Sequence, residues 1–211
     1  MNERPILFTG AMVRAILDGT KSSTRRVVNP QPELSPNSEW WHWRPKGQAH
    51  WRNGENPTPN FATAPLFDHC PYGKAGDRLW VRETWHPAFR FGTEYEIEYK
   101  ADGASRMIDA GWNGPTPIID AAISKGWQLP STIPRWASRI ALQITAVRVE
   151  RLQMIDEAAV IAEGVFDPTW TRVDDNARKA YAAQWDATNA KRGFGWDANP
   201  WVWVIDFVRV G

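Results

Sequence analysis

The sequence has 211 residues, a length that favours one domain or one compact domain with insertions. Hydrophobic residues make up 43% of it and charged residues 23%, which is typical of a globular chain with a sizeable core. The formal net charge of +1 provides no global field for nucleic acid, so an anionic partner would have to be held by a local basic patch.

The N-terminal segment and the cysteine content indicate a compartment. The first ten residues, MNERPILFTG, contain no apolar signal-peptide core, and no stretch is long enough to cross a bilayer. Cys70 is the only cysteine, so no intramolecular disulfide can form, which suits a reducing compartment. We expect a cytoplasmic protein that makes no membrane contact.

The first third of the chain predicts one helix followed by a long loop. Apolar residues recur at helical spacing between Thr9, the expected N-cap, and Gly19, the expected stop. Residues 29–72 are rich in Pro, Asn and Trp without a clear period, which predicts a long loop or insertion. We expect most of the 14 tryptophans to be core or inter-loop packing, with one or two lining a base pocket.

Four later stretches predict strands: GDRLWVRETW, TEYEIEYK, SRIALQITAVRVERL and PWVWVIDFVRV. Alternation in the first of them places Leu79, Val81 and Glu83 on one face. The apolar phase of the third slips near Ala146, which predicts a bulge.

Two short helices are predicted between the last two strands. The stretch IDEAAVIAEGV has Asp156 as its expected N-cap and Gly164 as its stop. The stretch DDNARKAYAAQWDATNAKRG predicts a second helix that buries Ala177, Tyr181 and Trp185. Together these elements predict a mixed α+β domain whose sheet curls into a small barrel.

The stretch TKSSTRR concentrates groups that could do chemistry. A lysine whose pKa is lowered by burial or a cationic neighbour can activate a hydroxyl nucleophile. Lys21 and Thr24 offer the base and the hydroxyl, and Arg25 or Arg26 offers the cationic neighbour or an anion-binding group. In a straight strand Lys21 and Thr24 would point to opposite faces, whereas a bend could bring them together. The alternative is a solvated basic turn.

Two carboxylates stand in unusual places. Glu163 lies in the last turn of its predicted helix, where the negative end of the helix dipole disfavours a carboxylate. Glu83 points inward if its strand alternates, so it should have a cationic partner such as Arg139 or Lys21. The alternative for both is an ordinary carboxylate in solvent.

Neither a metal nor a cofactor is expected. Histidines 42, 50, 69 and 86 and Cys70 show no ligand spacing, and the stretch DHC is too close-packed for a metal site. No phosphate-binding glycine loop or Gly-x-Ser-x-Gly elbow is present in the sequence.

These motifs resemble the ASCH family. The resemblance lies in the helix ending in glycine, the Lys-x-x-Thr-x-Arg stretch, the GDRLWV strand, the helix ending in Glu-Gly and the final WVWVIDF strand. It implies an α+β, PUA-like small mixed β-barrel with flanking short helices and long loop insertions. The whole chain would be a single ASCH/PUA-like domain over residues 1–211, with insertions at about 35–72 and 86–130, similar to prophage-encoded ASCH-like proteins.

The resemblance also implies an activity. Compact bacterial members of the family are amidohydrolases that remove the acyl group from N4-acetylcytidine with a Lys, a Thr and a Glu. Those residues match Lys21, Thr24 and Glu163 here, and Glu163 is the carboxylate in the unfavourable helix position. The implied partner is a modified pyrimidine nucleoside or RNA.

Five further residues are expected to bind the substrate. Arg26 is expected to stabilise the oxyanion, Trp85 or Trp136 to stack on the base, and Glu83 and Arg139 to line the pocket. The alternative functions are a non-catalytic module that binds RNA or a modified nucleotide, a ribonuclease, and a phage accessory protein whose tryptophan-rich insertion contacts a protein.

Overall fold

A computed structural model of the chain describes residues 1–44, 49–58, 63–111, 117–165 and 174–210. Its strands are β1 (Glu3–Leu7), β2 (Ser23–Val27), β3 (Glu33–Leu34), β4 (Trp40–Trp43), β5 (Ala49–Arg52), β6 (Arg78–Arg82), β7 (Trp85–Phe91), β8 (Glu94–Tyr99), β9 (Ser105–Asp109), β10 (Ala141–Arg151) and β11 (Trp201–Val210). Its α-helices are α1 (Gly10–Leu17), α2 (Ala64–Asp68), α3 (Pro117–Ile123), α4 (Glu157–Ala162) and α5 (Asp174–Asn189). The predicted mixed α+β class is confirmed.

The chain folds into two compact units. The first comprises Met1–Gly19, Arg78–Gln143 and Arg209–Gly211, and the second comprises Thr20–Asp77 and Ile144–Val208. The assignment of residues 1–211 to one domain stays a prediction. Residues 45–48, 59–62 and 112–116, which fall in the two predicted insertions, lie outside the described residues. No helix in the described part of the chain is long and apolar enough to span a membrane.

The first unit is built on strands β1, β6 and the start of β10. β1 pairs in parallel with β6, and β6 pairs antiparallel with residues 141–143 of β10. Leu79 and Val81 of β6 are buried, as the predicted alternation requires. Helix α1 begins after Thr9, whose side chain accepts a hydrogen bond from the Met12 amide, so the predicted N-cap is confirmed.

A second sheet of the first unit contains β7, β8 and β9 in antiparallel order. The predicted strand TEYEIEYK forms β8. Its odd-numbered side chains are buried, because Tyr95, Ile97 and Tyr99 pack with Trp85 and Ile133 into one cluster. This sheet occupies much of the second predicted insertion.

The second unit contains the rest of β10, followed in sheet order by β11 and β2. β2 pairs antiparallel with β11 from Ser23, opposite Asp206, to Val27, opposite Val202. Within neither unit do the pairings of the described strands close a sheet on itself, so the closed barrel of the prediction would need pairings beyond these.

Helices α4 and α5 cover one face of the second unit's sheet. The Asp156 side chain accepts a hydrogen bond from the Ala159 amide, which confirms the predicted N-cap of α4. Ala177, Tyr181 and Trp185 of α5 are buried, as predicted, in a cluster that also contains Leu152, Ile155, Val160, Val202 and Val204. This cluster packs α5 near the end of α4, where Glu163 lies.

The tryptophan-rich segment is more regular than the predicted loop. β3, β4 and β5 form an antiparallel sheet, and α2 follows it. Strands of two to four residues among prolines and asparagines are too short to produce a visible period in the sequence. The rings of Trp41 and Trp51 meet the Trp201 ring edge-on, with centroids 5.4 and 5.1 Å away. The segment therefore packs on β11 through its tryptophans.

Candidate active site

Lys21 and Glu163 lie next to each other although 142 residues separate them in sequence. Gly19, with φ at +78°, ends the turn after α1, a conformation that favours glycine. The chain then forms an isolated antiparallel bridge between Lys21 and Glu163, and the Ser22 amide donates to the Ala162 carbonyl over 2.9 Å. The backbone itself brings the start of β2 against the end of α4.

The Lys21 ammonium group is enclosed and donates to three oxygen atoms of the described residues. Its Nζ donates to Glu163 Oε2 over 2.8 Å, to the Glu163 carbonyl over 2.8 Å and to the Ser23 carbonyl over 2.7 Å. The Lys21 side chain is 0% exposed and that of Glu163 is 3% exposed. Because the Glu163 carbonyl belongs to the end of α4, Lys21 also satisfies one of the acceptors that a helix C-terminus leaves open.

The other oxygen of the Glu163 carboxylate faces Arg25 and Tyr181. Arg25 Nη1 and the Tyr181 hydroxyl each donate to Glu163 Oε1 over 3.4 Å. Arg25 Nη2 also lies 3.6 Å from a Glu150 carboxylate oxygen. Two cations therefore offset the carboxylate at the negative end of the helix dipole, which explains how the helix accommodates it.

Burial dominates the titration of this cluster. It lowers the pKa of Lys21, an effect that the Glu163 carboxylate offsets in part and that the Arg26 and Arg25 charges strengthen. Burial and the nearby Glu163 carboxylate raise the pKa of Tyr181 well above its usual value. Lys21 therefore gives up a proton more readily than a solvent-exposed lysine, while Tyr181 stays a neutral donor.

Thr24 lies in β2 opposite Ile205 and is 1% exposed. The Ser23 carbonyl that accepts from Lys21 belongs to the peptide group leading to Thr24, so Lys21 Nζ is one peptide group away from the Thr24 backbone. Strand alternation places Ser23 and Arg25 on one face of β2 and Thr24 on the other. The Lys21 acceptors described above are the Ser23 carbonyl and two Glu163 oxygens, and the Thr24 hydroxyl is not one of them.

Two buried polar atoms on the Ser23–Arg25 face lack partners. Neither Ser23 Oγ nor Arg25 Nε has a hydrogen-bond partner among the described residues, although each residue is 4% exposed. A buried group left unpaired costs about 1–3 kcal/mol, so native proteins rarely keep one without a use. Both atoms are suited to bind a ligand with a hydrogen-bond acceptor.

The sequence offered Arg25 or Arg26 as the cation near Lys21, the oxyanion role was assigned to Arg26, and Tyr181 was missed. Arg26 is half-buried, stands opposite Trp203 in the sheet and acts on Lys21 through its charge. Strand alternation was the available signal for Arg25, since Arg25 and Lys21 are four residues apart. No sequence signal pointed to the Tyr181 hydroxyl, because its ring occupies an ordinary core position of α5.

In the first unit, Glu83 has the predicted partner Arg139. Arg139 Nε and Nη2 donate to the two Glu83 carboxylate oxygens over 2.9 Å each, and Arg139 also pairs with Asp102 over 2.9 Å. The guanidinium lies 4.1 Å from the centre of the Tyr99 ring. Burial raises the pKa of Glu83 despite the opposing Arg139 hydrogen bonds, whereas those to Asp102 lower the pKa of Asp102.

The two tryptophans expected to stack on a base also belong to the first unit. Trp85 is 2% exposed, and its indole N–H donates to the Thr132 hydroxyl over 3.2 Å. Trp136 is half-buried, and its ring lies 5.4 Å from that of Tyr95. Base stacking by Trp85 and Trp136 stays a prediction, and for Trp85 it would require the ring to leave its core.

No family model and no curated protein matches the chain. Two solved structures are similar to it. A protein from Enterococcus faecalis V583, described by the family model DUF984, is 11% identical, with all of this chain and 80% of that one covered and a TM-score of 0.41. An ASCH domain from Lactobacillus crispatus JV V101 is 9% identical, with 99% and 79% covered and a TM-score of 0.39. At identities this low, neither likeness carries information on activity.

Proposed function

We propose that the chain is an amidohydrolase that removes the acyl group from N4-acylated cytosine nucleosides. The substrate class comes from the resemblance of the Lys21, Thr24 and Glu163 motifs to the ASCH family. The observation that carries the proposal is the enclosed Lys21–Glu163 pair, because its lysine has a lowered pKa and lies one peptide group from a threonine. Perturbed ionisable groups of this kind cluster at functional sites.

In the proposed first step, opening of the site turns the Thr24 hydroxyl toward Lys21, and neutral Lys21 takes its proton. The Thr24 oxygen then attacks the acyl carbonyl carbon and forms a tetrahedral oxyanion. Breakdown of this intermediate breaks the amide C–N bond, and the exocyclic amine leaves with the proton that Lys21 took up. The products of this step are the free cytosine nucleoside and an acyl ester on Thr24.

In the proposed second step, a water molecule attacks the Thr24 ester. Lys21 takes the water proton and returns a proton to the Thr24 oxygen, so that the carboxylic acid leaves and the enzyme is restored. Glu163 holds the Lys21 amine in position through its 2.8 Å contact and stabilises the ammonium form whenever Lys21 carries the proton. In this mechanism Glu163 also relays a proton toward the leaving amine.

The oxyanion of each step needs hydrogen-bond donors. Arg25 Nε–H and the Ser23 hydroxyl are two buried donors without a partner among the described residues. Donors of this kind stabilise a carbonyl oxygen that gains negative charge in the transition state. Because they lie on the face of β2 opposite Thr24, the proposal requires that opening of the site brings the acyl carbonyl to the Ser23–Arg25 face. Arg26, the residue proposed from sequence, adds positive charge near Lys21.

The substrate must open the site before it reacts. Lys21, Thr24 and Glu163 are each at most 3% exposed, so an acyl group reaches them only when neighbouring side chains move. The second candidate function is a non-catalytic module that binds RNA or a modified nucleoside. The observation that favours it is that Lys21 Nζ already donates to three oxygens, as a lysine with a purely structural role would.

Turnover distinguishes the two functions. We would incubate the protein with N4-acetylcytidine, N4-propionylcytidine and N4-benzoylcytidine and follow the absorbance change on cytidine release. Lys21→Met should lower the rate by at least about 100-fold, since it removes the general base. Lys74→Met is the matched control. Lys74 is exposed, so this variant should retain wild-type turnover. Wild-type binding without turnover of any derivative would replace the proposal with the binding module.

A further inference from the structure

The sheet β3–β5 has two faces of different chemistry. Its register sets Trp41 opposite Trp51, and this inner face packs on Trp201. The same register sets Trp40 opposite Arg52 and His42 opposite His50 on the outer face. Because side chains alternate along a strand, the rings and cations of the outer face cannot join the packing on β11.

The outer-face side chains lie close enough to form one platform. The Arg52 guanidinium lies 5.7 Å from the Trp40 ring centre. The His50 ring lies 5.7 Å from Trp40 in an edge-on arrangement and 6.3 Å from His42. His50 and Arg52 are exposed, and Trp40 and His42 are half-buried. None of these four side chains is aliphatic.

A cavity of about 520 Å³ opens on this sheet and is lined by Trp40, His42, Trp43, Arg44, Ala49 and His50. Its volume falls within the range of about 300–1,000 Å³ that is usual for small-molecule sites. Charges of both signs lie near the cavity. Arg44 and Arg52 are exposed cations. Glu33 stands opposite His42 in the sheet, and Glu39 lines a neighbouring cavity together with Arg52.

We propose that this outer face binds single-stranded nucleic acid. The Trp40 and histidine rings supply flat surfaces on which bases stack, and Arg44 and Arg52 supply guanidinium groups for the phosphates. Aromatic rings interleaved with cations are the combination that single strands require, since every base has a π-face and every nucleotide a phosphate. Trp and Arg are also enriched at protein–protein interfaces, so the binding of an oligonucleotide, measured below, decides between the two kinds of partner.

The test uses fluorescence anisotropy with a short fluorescein-labelled oligouridylate. Uracil has no exocyclic amine, so this RNA cannot be an amidohydrolase substrate, and its binding is independent of the proposed function. Losing one stacked base weakens binding by about 5- to 150-fold. The Trp40→Ala/Arg52→Ala variant should therefore bind at least about 5-fold more weakly than the wild type. The slope of log K against log salt should also fall by about 0.7 for the lost phosphate contact.

The matched control is Phe91→Ala/Arg106→Ala, which removes an exposed aromatic ring and an exposed cation from the sheet β7–β9. It should bind RNA like the wild type. If circular dichroism shows that the Trp40 variant is misfolded, Arg44→Glu/Arg52→Glu tests the same face by charge reversal. The proposal is overturned if the wild type does not bind the oligomer, or if free uridine monophosphate binds as tightly as the oligomer. It is also overturned if the outer-face variants bind normally, or if the control loses as much affinity as the test variant.

Discussion

Replacing Glu163 with glutamine should destabilise the protein, although a carboxylate at the end of a helix would be expected to cost little to remove. The reason is burial, because the Lys21 side chain is 0% exposed and lies 2.8 Å from the Glu163 carboxylate. Removing one partner of a buried ion pair costs about 3–5 kcal/mol. Since the glutamine oxygen can still accept a hydrogen bond from Lys21, we expect the lower limit, about 3 kcal/mol. For a chain of this length that loss lowers Tm by about 6–12 °C.

The deficit should depend on pH. Burial lowers the pKa of Lys21 in the folded protein, so the unfolded chain binds more protons between that pKa and the usual lysine value of about 10.4. Stability therefore rises with pH across this window. Loss of the Glu163 charge lowers the pKa of Lys21 further and widens the window. The difference between Glu163→Gln and wild type should be smaller at about pH 9 than at about pH 7.

Urea unfolding of a double-mutant cycle measures the effect. Lys21→Met/Glu163→Gln removes both charges, so the double variant should be more stable than the sum of the single losses predicts, by about 2 kcal/mol or more. Glu3→Gln is the matched control, because the Glu3–Arg135 pair is 2.7 Å long but 35% and 46% exposed. It should change stability by at most about 1 kcal/mol. Losses at Lys21 and Glu163 that add within about 0.5 kcal/mol would refute the reasoning.

Three further predictions concern stability and use the same urea assay. Arg139→Lys loses a two-pronged pairing with Glu83 and should cost about 2–3 kcal/mol, whereas Arg135→Lys, in an exposed pair, should cost less than about 1 kcal/mol; equal losses would contradict this. Asp156→Ala removes the N-cap of α4 and should cost about 1 kcal/mol, and no change would contradict the cap. Trp51→Ala, in the inner face, should cost about 3–5 kcal/mol, and a smaller loss than Trp40→Ala would reverse the assignment of faces.

Local signals in the sequence were enough for much of the fold. The caps at Thr9 and Asp156 act within three residues, so they are visible without tertiary information. The burial of Leu79 and Val81 follows from alternation in β6 alone. The sheet β3–β5 was missed because its strands pair through register and through packing on Trp201, neither of which a short apolar pattern reveals.

The candidate site was predictable only where a local signal existed. The contact between Lys21 and Glu163 came from a family resemblance and from a carboxylate in an unfavourable helix position. The roles of Arg25 and Tyr181 depend on how β2 and α5 approach the end of α4, which is a tertiary property. The unpaired Ser23 hydroxyl is likewise visible only when burial is known.

Thr24 is the nucleophile of the proposed amidohydrolase, and the initial rate of cytidine release from N4-acetylcytidine tests this role most directly. Wild-type protein should release cytidine, and Thr24→Val, which keeps the side-chain shape and removes the hydroxyl, should lower the rate by a factor on the order of 10³ or more. Thr20→Val makes the same substitution at an exposed position of the same segment and should retain wild-type turnover. Thr24→Val turning over at the wild-type rate, or no release of cytidine by the wild type, would contradict the claim.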